Sequence, residues 1–102
     1  MAKMVTFFWR DIPSHVMYKA GREKHRKQLD PKFETALDRA ALRAGKGSSD
    51  AYIAEWRRET KRLEGVRDPS KLLETQVQHL EQEFSDEILE KTIKAGGIKP
   101  KP

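Results

Sequence analysis

MVTFFWR, residues 4–10, and HVMYK, residues 15–19, decide the fold that we expect for this chain. Both stretches are rich in the β-branched and aromatic residue types that favour strands. In the first stretch, alternation puts Val5 and Phe7 on one face and Thr6 and Phe8 on the other, so both faces carry a ring and the strand is predicted to be central. Residues 11–14, DIPS, are predicted to form the turn of a hairpin between the two strands.

Two helices are predicted from a repeated start signal, an aspartate followed by a proline. Asp30 suits the N-cap position and Pro31 the first helical position, and Gly45 is typical of the residue after a helix end. Between them, small and apolar residues recur at helical spacing on one face: Phe33, Ala36, Leu37, Ala40, Ala41 and Ala44. The second aspartate–proline signal, at residues 68–69, predicts the start of the second helix. Residues 85–86, SD, could restart this helix, and the glycines at 96–97 are predicted to end it.

The remaining segments carry weaker patterns. Residues 20–29 are basic and lack a clear period, which indicates an exposed connection, with or without some strand at its start. Residues 51–58, AYIAEWRR, fit either a strand or a helix capped by Asp50. We favour the strand, because a two-stranded hairpin alone is only weakly stable. The resulting order β-β-α-β-α predicts an α+β fold, a small antiparallel sheet with two helices packed on one face. Residues 1–97 are expected to form a single domain, and residues 98–102 a disordered tail.

Composition restricts the function further. The 102 residues include no cysteine, which excludes disulfides and thiolate metal sites, and no stretch approaches the roughly 20 apolar residues of a membrane span. A cytoplasmic location without membrane contact is therefore expected. The charge is uneven: residues 1–29 hold seven basic and two acidic side chains, whereas residues 68–102 hold five basic and seven acidic ones. A basic end of this kind suits acidic partners, although pairing within the chain would also account for it.

The residues that could carry chemistry are dispersed. The three histidines, His15, His25 and His79, lack the spacing of a metal site. Ser14 precedes His15 directly, but neighbours on a strand point to opposite faces, so a contact between them is not expected. The glycines form no phosphate-binding loop. We therefore predict a non-catalytic protein without a metal or a cofactor.

Several stretches together resemble one family: FWRDIP at residues 8–13, REK at 22–24, ALDRAA at 36–41, RAG at 43–45, DAY at 50–52 and EWRR at 55–58. This set resembles the small "virulence factor" domain family, whose stand-alone members are common in alphaproteobacteria. A related domain lies at one end of larger bacterial proteins called conserved virulence factor C. The resemblance implies an accessory subunit or chaperone of an enzyme of one-carbon or methyl-transfer metabolism, and it implies no assigned chemical role for any residue.

Two functions are favoured from the sequence, and an enzyme whose site is built from dispersed residues ranks third. The first is a protein-interaction module, because tryptophan and arginine are enriched where interfaces bind most strongly; its predicted contact residues are Arg10, Asp11, Pro13, Trp56, Arg57 and Arg58. The alternative is nucleic-acid binding through the basic segments 22–27 and 57–62, with Phe8, Trp9 and Trp56 as candidate stacking rings. The protein partner is favoured over nucleic acid.

Overall fold

A computed structural model describes residues 2–100, and it confirms the α+β class. The order is β-β-β-α-α-β-α-α. The elements are β1 (Ala2–Trp9), β2 (Ile12–Ala20), β3 (Glu23–Gln28), α1 (Pro31–Arg43), α2 (Ser49–Ala54), β4 (Trp56–Leu63), α3 (Pro69–Glu83) and α4 (Asp86–Lys94). The four strands form one antiparallel sheet in the order β3-β2-β1-β4. β1 is therefore central, as its two ring-bearing faces predict.

The hairpin is tighter than the predicted four-residue turn. β2 already begins at Ile12, so the turn consists of Arg10 and Asp11, and Arg10 adopts a φ of 53°. Pro13 lies inside β2, where the register against β1 shifts between Phe7 and Phe8. A bulge is a position where a strand tolerates a residue that has no N–H to donate. Because the pairing of β2 with β3 ends at His15, Pro13 has a strand neighbour only on the β1 side, where the bulge accommodates it.

Two other predictions are corrected. The basic segment 20–29 is not an open connection, because Glu23–Gln28 pairs with β2 as an edge strand. Charged side chains are usual on such edges, and they conceal the apolar alternation by which strands are recognised. Residues 51–54 belong to α2, which begins at Ser49 after an N-cap at Ser48, and the strand starts only at Trp56. The helical alternative was thus right for the first half of segment 51–58 and the strand for the second half.

The helical start signals are confirmed in atomic detail. The Asp30 side chain accepts a hydrogen bond from the Lys32 backbone N–H, and Asp68 accepts one from Lys71. Ser85 caps α4 in the same way, through Ile88. These acceptors satisfy N–H groups that the first turn of a helix leaves free. α1, α3 and α4 therefore start at the residues that their local sequences specify, whereas α2 has no side-chain cap.

The helices cover one face of the sheet and, at the Trp9 end, part of the other face, where Tyr52 of α2 stacks on Trp9. The inner residues of β1 and β2 on the first of these faces are buried: Met4, Thr6, Phe8, Val16 and Tyr18. α3 lies over them, with the Gln76 amide 3.3 Å from the Thr6 hydroxyl. α1 contacts β2 and α4, and its Phe33 ring meets Phe84 edge to face. None of the helices within residues 2–100 has the length and apolar content of a membrane span.

The end of the chain returns to the hairpin turn. The Lys99 backbone N–H donates to the Asp11 carboxylate at 2.8 Å, and the Asp11 N–H donates to the Gly97 carbonyl at 2.9 Å. The predicted disordered tail included residues 101 and 102, which lie outside the described residues.

Candidate functional site

The second face of the sheet is covered at its Trp9 end, where Tyr52 of α2 stacks on the Trp9 ring. The rest of that face carries no helix, and we call this part the open face. The pairing register arranges its side chains in three rows that run across the four strands from β3 to β4. The first row is Lys24, Lys19, Lys3 and Arg62. The second row is Arg26, Met17, Val5 and Thr60. The third row is Gln28, His15, Phe7 and Arg58. Directly paired residues of antiparallel strands point to the same side, so each row is a line of neighbours.

Six of these twelve side chains are cationic and none is acidic. All six are exposed: Lys3, Lys19, Lys24, Arg26, Arg58 and Arg62. Among residues 2–100, lysine and arginine form eight ion pairs and histidine makes two contacts with carboxylates, and none of these ten includes any of the six cations. The positive charge of the open face is therefore not neutralised by the rest of the described chain.

The first row places like charges directly opposite one another. Lys19 pairs with Lys3 on one side and with Lys24 on the other, and Lys3 also pairs with Arg62. Like charges in directly paired positions destabilise a sheet, by roughly 0.2–1 kcal/mol for each pair relative to a neutral pair. The first row therefore carries a repulsion that lowers the stability of the sheet.

This repulsion predicts that Lys19→Glu stabilises the unliganded protein. Two repulsive neighbours become attractive, so we expect a gain of about 1 kcal/mol, or a rise of roughly 4–8 °C in the thermal unfolding midpoint at low salt. The difference from the parent should shrink in about 1 M salt, where charges are screened within about 3 Å. Thermal unfolding followed by circular dichroism measures both effects. A lower midpoint for the variant at low salt would contradict the repulsion.

The third row has an aromatic centre. The Phe7 and His15 rings stack with centroids 4.5 Å apart and an angle of 13° between their planes, and both are half-buried. The Ser14 hydroxyl lies 3.0 Å from His15 Nδ1. This contact was not expected of strand neighbours, and the bulge beside Ser14 accounts for it. Burial and the nearby charge of Arg26 lower the pKa of His15, which favours the neutral ring.

The rings proposed from the sequence as stacking surfaces lie elsewhere. Phe8 and Trp9 are buried, and Trp56 is half-buried against Tyr52 at the far end of the sheet. Phe7 is the ring that the sequence interpretation missed. Alternation along β1 does separate Phe7 from Phe8, but only the position of the helices decides which of the two faces is open.

Five of the six predicted partner-contact residues belong to the hairpin turn and its surroundings. Arg10 donates to the Gly96 carbonyl at 3.0 Å and pairs with Glu55 at 3.2 Å. Arg57 donates to the Arg10 carbonyl at 2.7 Å, pairs with Glu59 at 2.7 Å and Asp11 at 3.4 Å, and lies 4.3 Å from the centre of the Phe8 ring. Pro13 is buried and Trp56 is half-buried. The sixth residue, Arg58, lies on the open face.

The two basic segments divide between the faces because strand residues alternate. Lys24 and Arg26 of segment 22–27 lie on the open face, while Lys27 pairs with buried Val16 and points to the helix side. Arg58 and Arg62 of segment 57–62 lie on the open face, while Arg57 and Lys61 do not. Lys3 and Lys19, which neither segment includes, complete the first row.

The molecule is thus a small α+β protein whose single sheet is covered by helices on one side and, beyond Trp9, presents on the other side a basic surface with the ring pair of Phe7 and His15 in its outer row. A family model described as "Virulence factor" matches residues 7–93, so the chain belongs to that family. No curated protein and no solved structure shows significant similarity to the chain.

Proposed function

We propose that this protein binds nucleic acid through the open face. The observation that carries the proposal is the group of six exposed cations, with no acidic residue among the three rows and no ion pair to any other residue within 2–100. Phosphate contacts by lysine and arginine supply most of the affinity of non-specific nucleic-acid binding. A cytoplasmic location, which we propose with it, would give the protein access to RNA.

The shape of the face favours a nucleic acid over other acidic surfaces. Three strand spacings of about 4.8 Å give the face a width of roughly 14 Å, which is comparable with a short length of phosphate backbone. The third row holds a stacked ring pair that is half-buried, whereas an apolar side chain that anchors a protein in a lipid bilayer protrudes from its surface. A basic surface that also carries aromatic rings is the combination that proteins use to bind single-stranded nucleic acid.

The interaction-module hypothesis stays a prediction, together with the accessory role beside an enzyme of one-carbon or methyl-transfer metabolism. Its predicted residues Arg10, Asp11 and Arg57 make contacts within the chain that explain their presence without a partner. No contact in the structure favours this hypothesis over the open face.

The test measures the affinity for a fluorescently labelled 12-nucleotide RNA by anisotropy at about 100 mM salt. The double variant Lys19→Glu/Arg62→Glu reverses two cations of the first row, and we expect its affinity to fall on the order of 100-fold. The matched control is Arg43→Glu/Lys94→Glu, which makes the same change in net charge at exposed positions at the ends of α1 and α4. Its affinity should fall only a few-fold.

Three results would overturn the proposal. One is equal loss of affinity in the two double variants, which would mean that only net charge matters. Another is no RNA binding by the parent at about 50 mM salt. The last is binding of the parent to vesicles of phosphatidylglycerol and phosphatidylcholine without binding to RNA, which would identify the open face as a membrane-contact surface instead.

A further inference from the structure

Phe7 differs from the other phenylalanines in what lies over its ring. A cation lies within 6 Å of the ring centre in each of the other three: Arg57 over Phe8 at 4.3 Å, Lys32 over Phe33 at 5.7 Å and Lys99 over Phe84 at 4.8 Å. Among residues 2–100, no cation lies over the Phe7 ring, although Arg58 is the residue directly paired with Phe7 on β4. One face of Phe7 is thus stacked on His15, and the other has no cation over it.

The position of that second ring face follows from the third row. Phe7 lies between His15 on β2 and Arg58 on β4, and the nearly parallel His15 ring covers the side towards β2. The side towards Arg58 is therefore the one available to a ligand. Arg58 is exposed and unpaired among the described residues, so its guanidinium can move over an inserted ring and also reach a phosphate. Guanidinium groups and aromatic rings both stack on planar groups.

We propose that an unpaired nucleobase stacks on Phe7, between the Phe7 ring and Arg58, so that the ligand of the open face is single-stranded nucleic acid. This inference rests on the proposed function and specifies its substrate class. A base inside a duplex is already stacked on both sides, so a duplex would engage the cations but not the ring. The first row lies four residues along each strand from the row of Phe7, which is roughly 13 Å at about 3.3 Å per residue. Its cations then hold phosphates further along the strand than those beside the stacked base.

The first experiment uses the unaltered protein. Anisotropy at about 100 mM salt compares a 12-nucleotide RNA with an oligomer of the same backbone and charge that lacks bases, and with the same RNA annealed into a duplex. One stacked base contributes enough to change affinity about 5- to 100-fold. We expect the abasic oligomer and the duplex to bind at least about fivefold more weakly than the single strand.

The second experiment uses Phe7→Leu, which keeps apolar volume at a half-buried position but removes the ring, and Phe7→Tyr, which retains a ring. The leucine variant should lose about 5- to 100-fold in affinity for the single-stranded RNA and keep its affinity for the abasic oligomer, whereas the tyrosine variant should bind like the parent.

The outcomes separate this inference from the proposed function. If RNA and the abasic oligomer bind equally well to the parent, and Phe7→Leu changes neither affinity, the stacking inference is overturned while the basic face remains a nucleic-acid site. If the parent binds none of the three ligands, the proposed function itself is overturned. Equal binding of single strand and duplex also contradicts stacking on Phe7, whatever the behaviour of the variants.

Discussion

Between about 50 and about 200 mM salt, the affinity of the protein for single-stranded RNA is expected to fall about 300-fold. Each phosphate that a cation neutralises releases counterions, and for single strands the logarithm of the affinity falls with the logarithm of the salt concentration at a slope of about −0.7 for each contact. The open face offers six cations that are exposed and unpaired within residues 2–100. Six contacts predict a slope of about −4.

The slope of log affinity against log salt concentration shows whether RNA contacts the cations of the open face or the basic residues elsewhere on the molecule. Anisotropy titrations with a 12-nucleotide RNA at four salt concentrations measure it. Lys19→Glu/Arg62→Glu removes two of the six contacts, so its slope should become about −3, while Arg43→Glu/Lys94→Glu should retain the parental value. A parental slope shallower than about −1 would contradict a six-cation contact, because such weak salt dependence leaves room for at most one or two phosphates.

The same residues explain which parts of the fold the sequence could predict. The starts of α1, α3 and α4 are encoded locally, since Asp30, Asp68 and Ser85 cap the turns that immediately follow them. β1 could be recognised as a central strand because it has apolar residues on both faces. These signals need no knowledge of distant parts of the chain.

The edge strands could not be predicted with the same success. Outside its ends, β4 is exposed along its whole length, and β3 has one half-buried residue, His25. Neither strand carries the alternation of apolar and polar residues on which a strand assignment depends. Their strand structure arises from the free hydrogen-bonding edges of β2 and β1, which is a tertiary effect. The helix at Ser49–Ala54 is likewise fixed by the packing of Tyr52 on Trp9.

The open face required the three-dimensional register. Lys3, Lys19, Lys24 and Arg62 come from four separate strands, and only the pairing of those strands brings them into one row. The sequence did indicate two basic segments, but alternation sends about half of each segment to the helix side. A one-residue slip in register would move every side chain of a strand to the other face. A charge count along the chain could therefore suggest a basic protein but could not define its surface.

Trp9 joins the open-face sheet to the helical layer, and its loss has the largest expected effect on stability. It is fully buried, its indole N–H donates to the Tyr52 carbonyl at 2.9 Å, and its ring stacks on Tyr52 with centroids 5.8 Å apart. Gly97, at a φ of +102°, lies so close that a Cβ there would be 2.9 Å from the Trp9 ring. Three segments of the chain, β1, α2 and the end of α4, thus meet at this one side chain.

Trp9→Ala is expected to cost about 3–5 kcal/mol of unfolding free energy, because the residue lies where neighbouring segments cannot easily collapse into the cavity. The free energy of unfolding of a domain of this size is roughly 5–15 kcal/mol. The variant should therefore unfold at a much lower urea concentration or be partly unfolded without urea. Urea titration followed by far-ultraviolet circular dichroism measures the change. Trp9→Phe is the control, since it keeps a ring against Tyr52 and removes the indole hydrogen bond. Its loss of unfolding free energy should be distinctly smaller than that of Trp9→Ala. If Trp9→Ala cost under about 1 kcal/mol, the site would have to relax around the missing ring, and Trp9 would not be the residue that ties the helical layer to the hairpin.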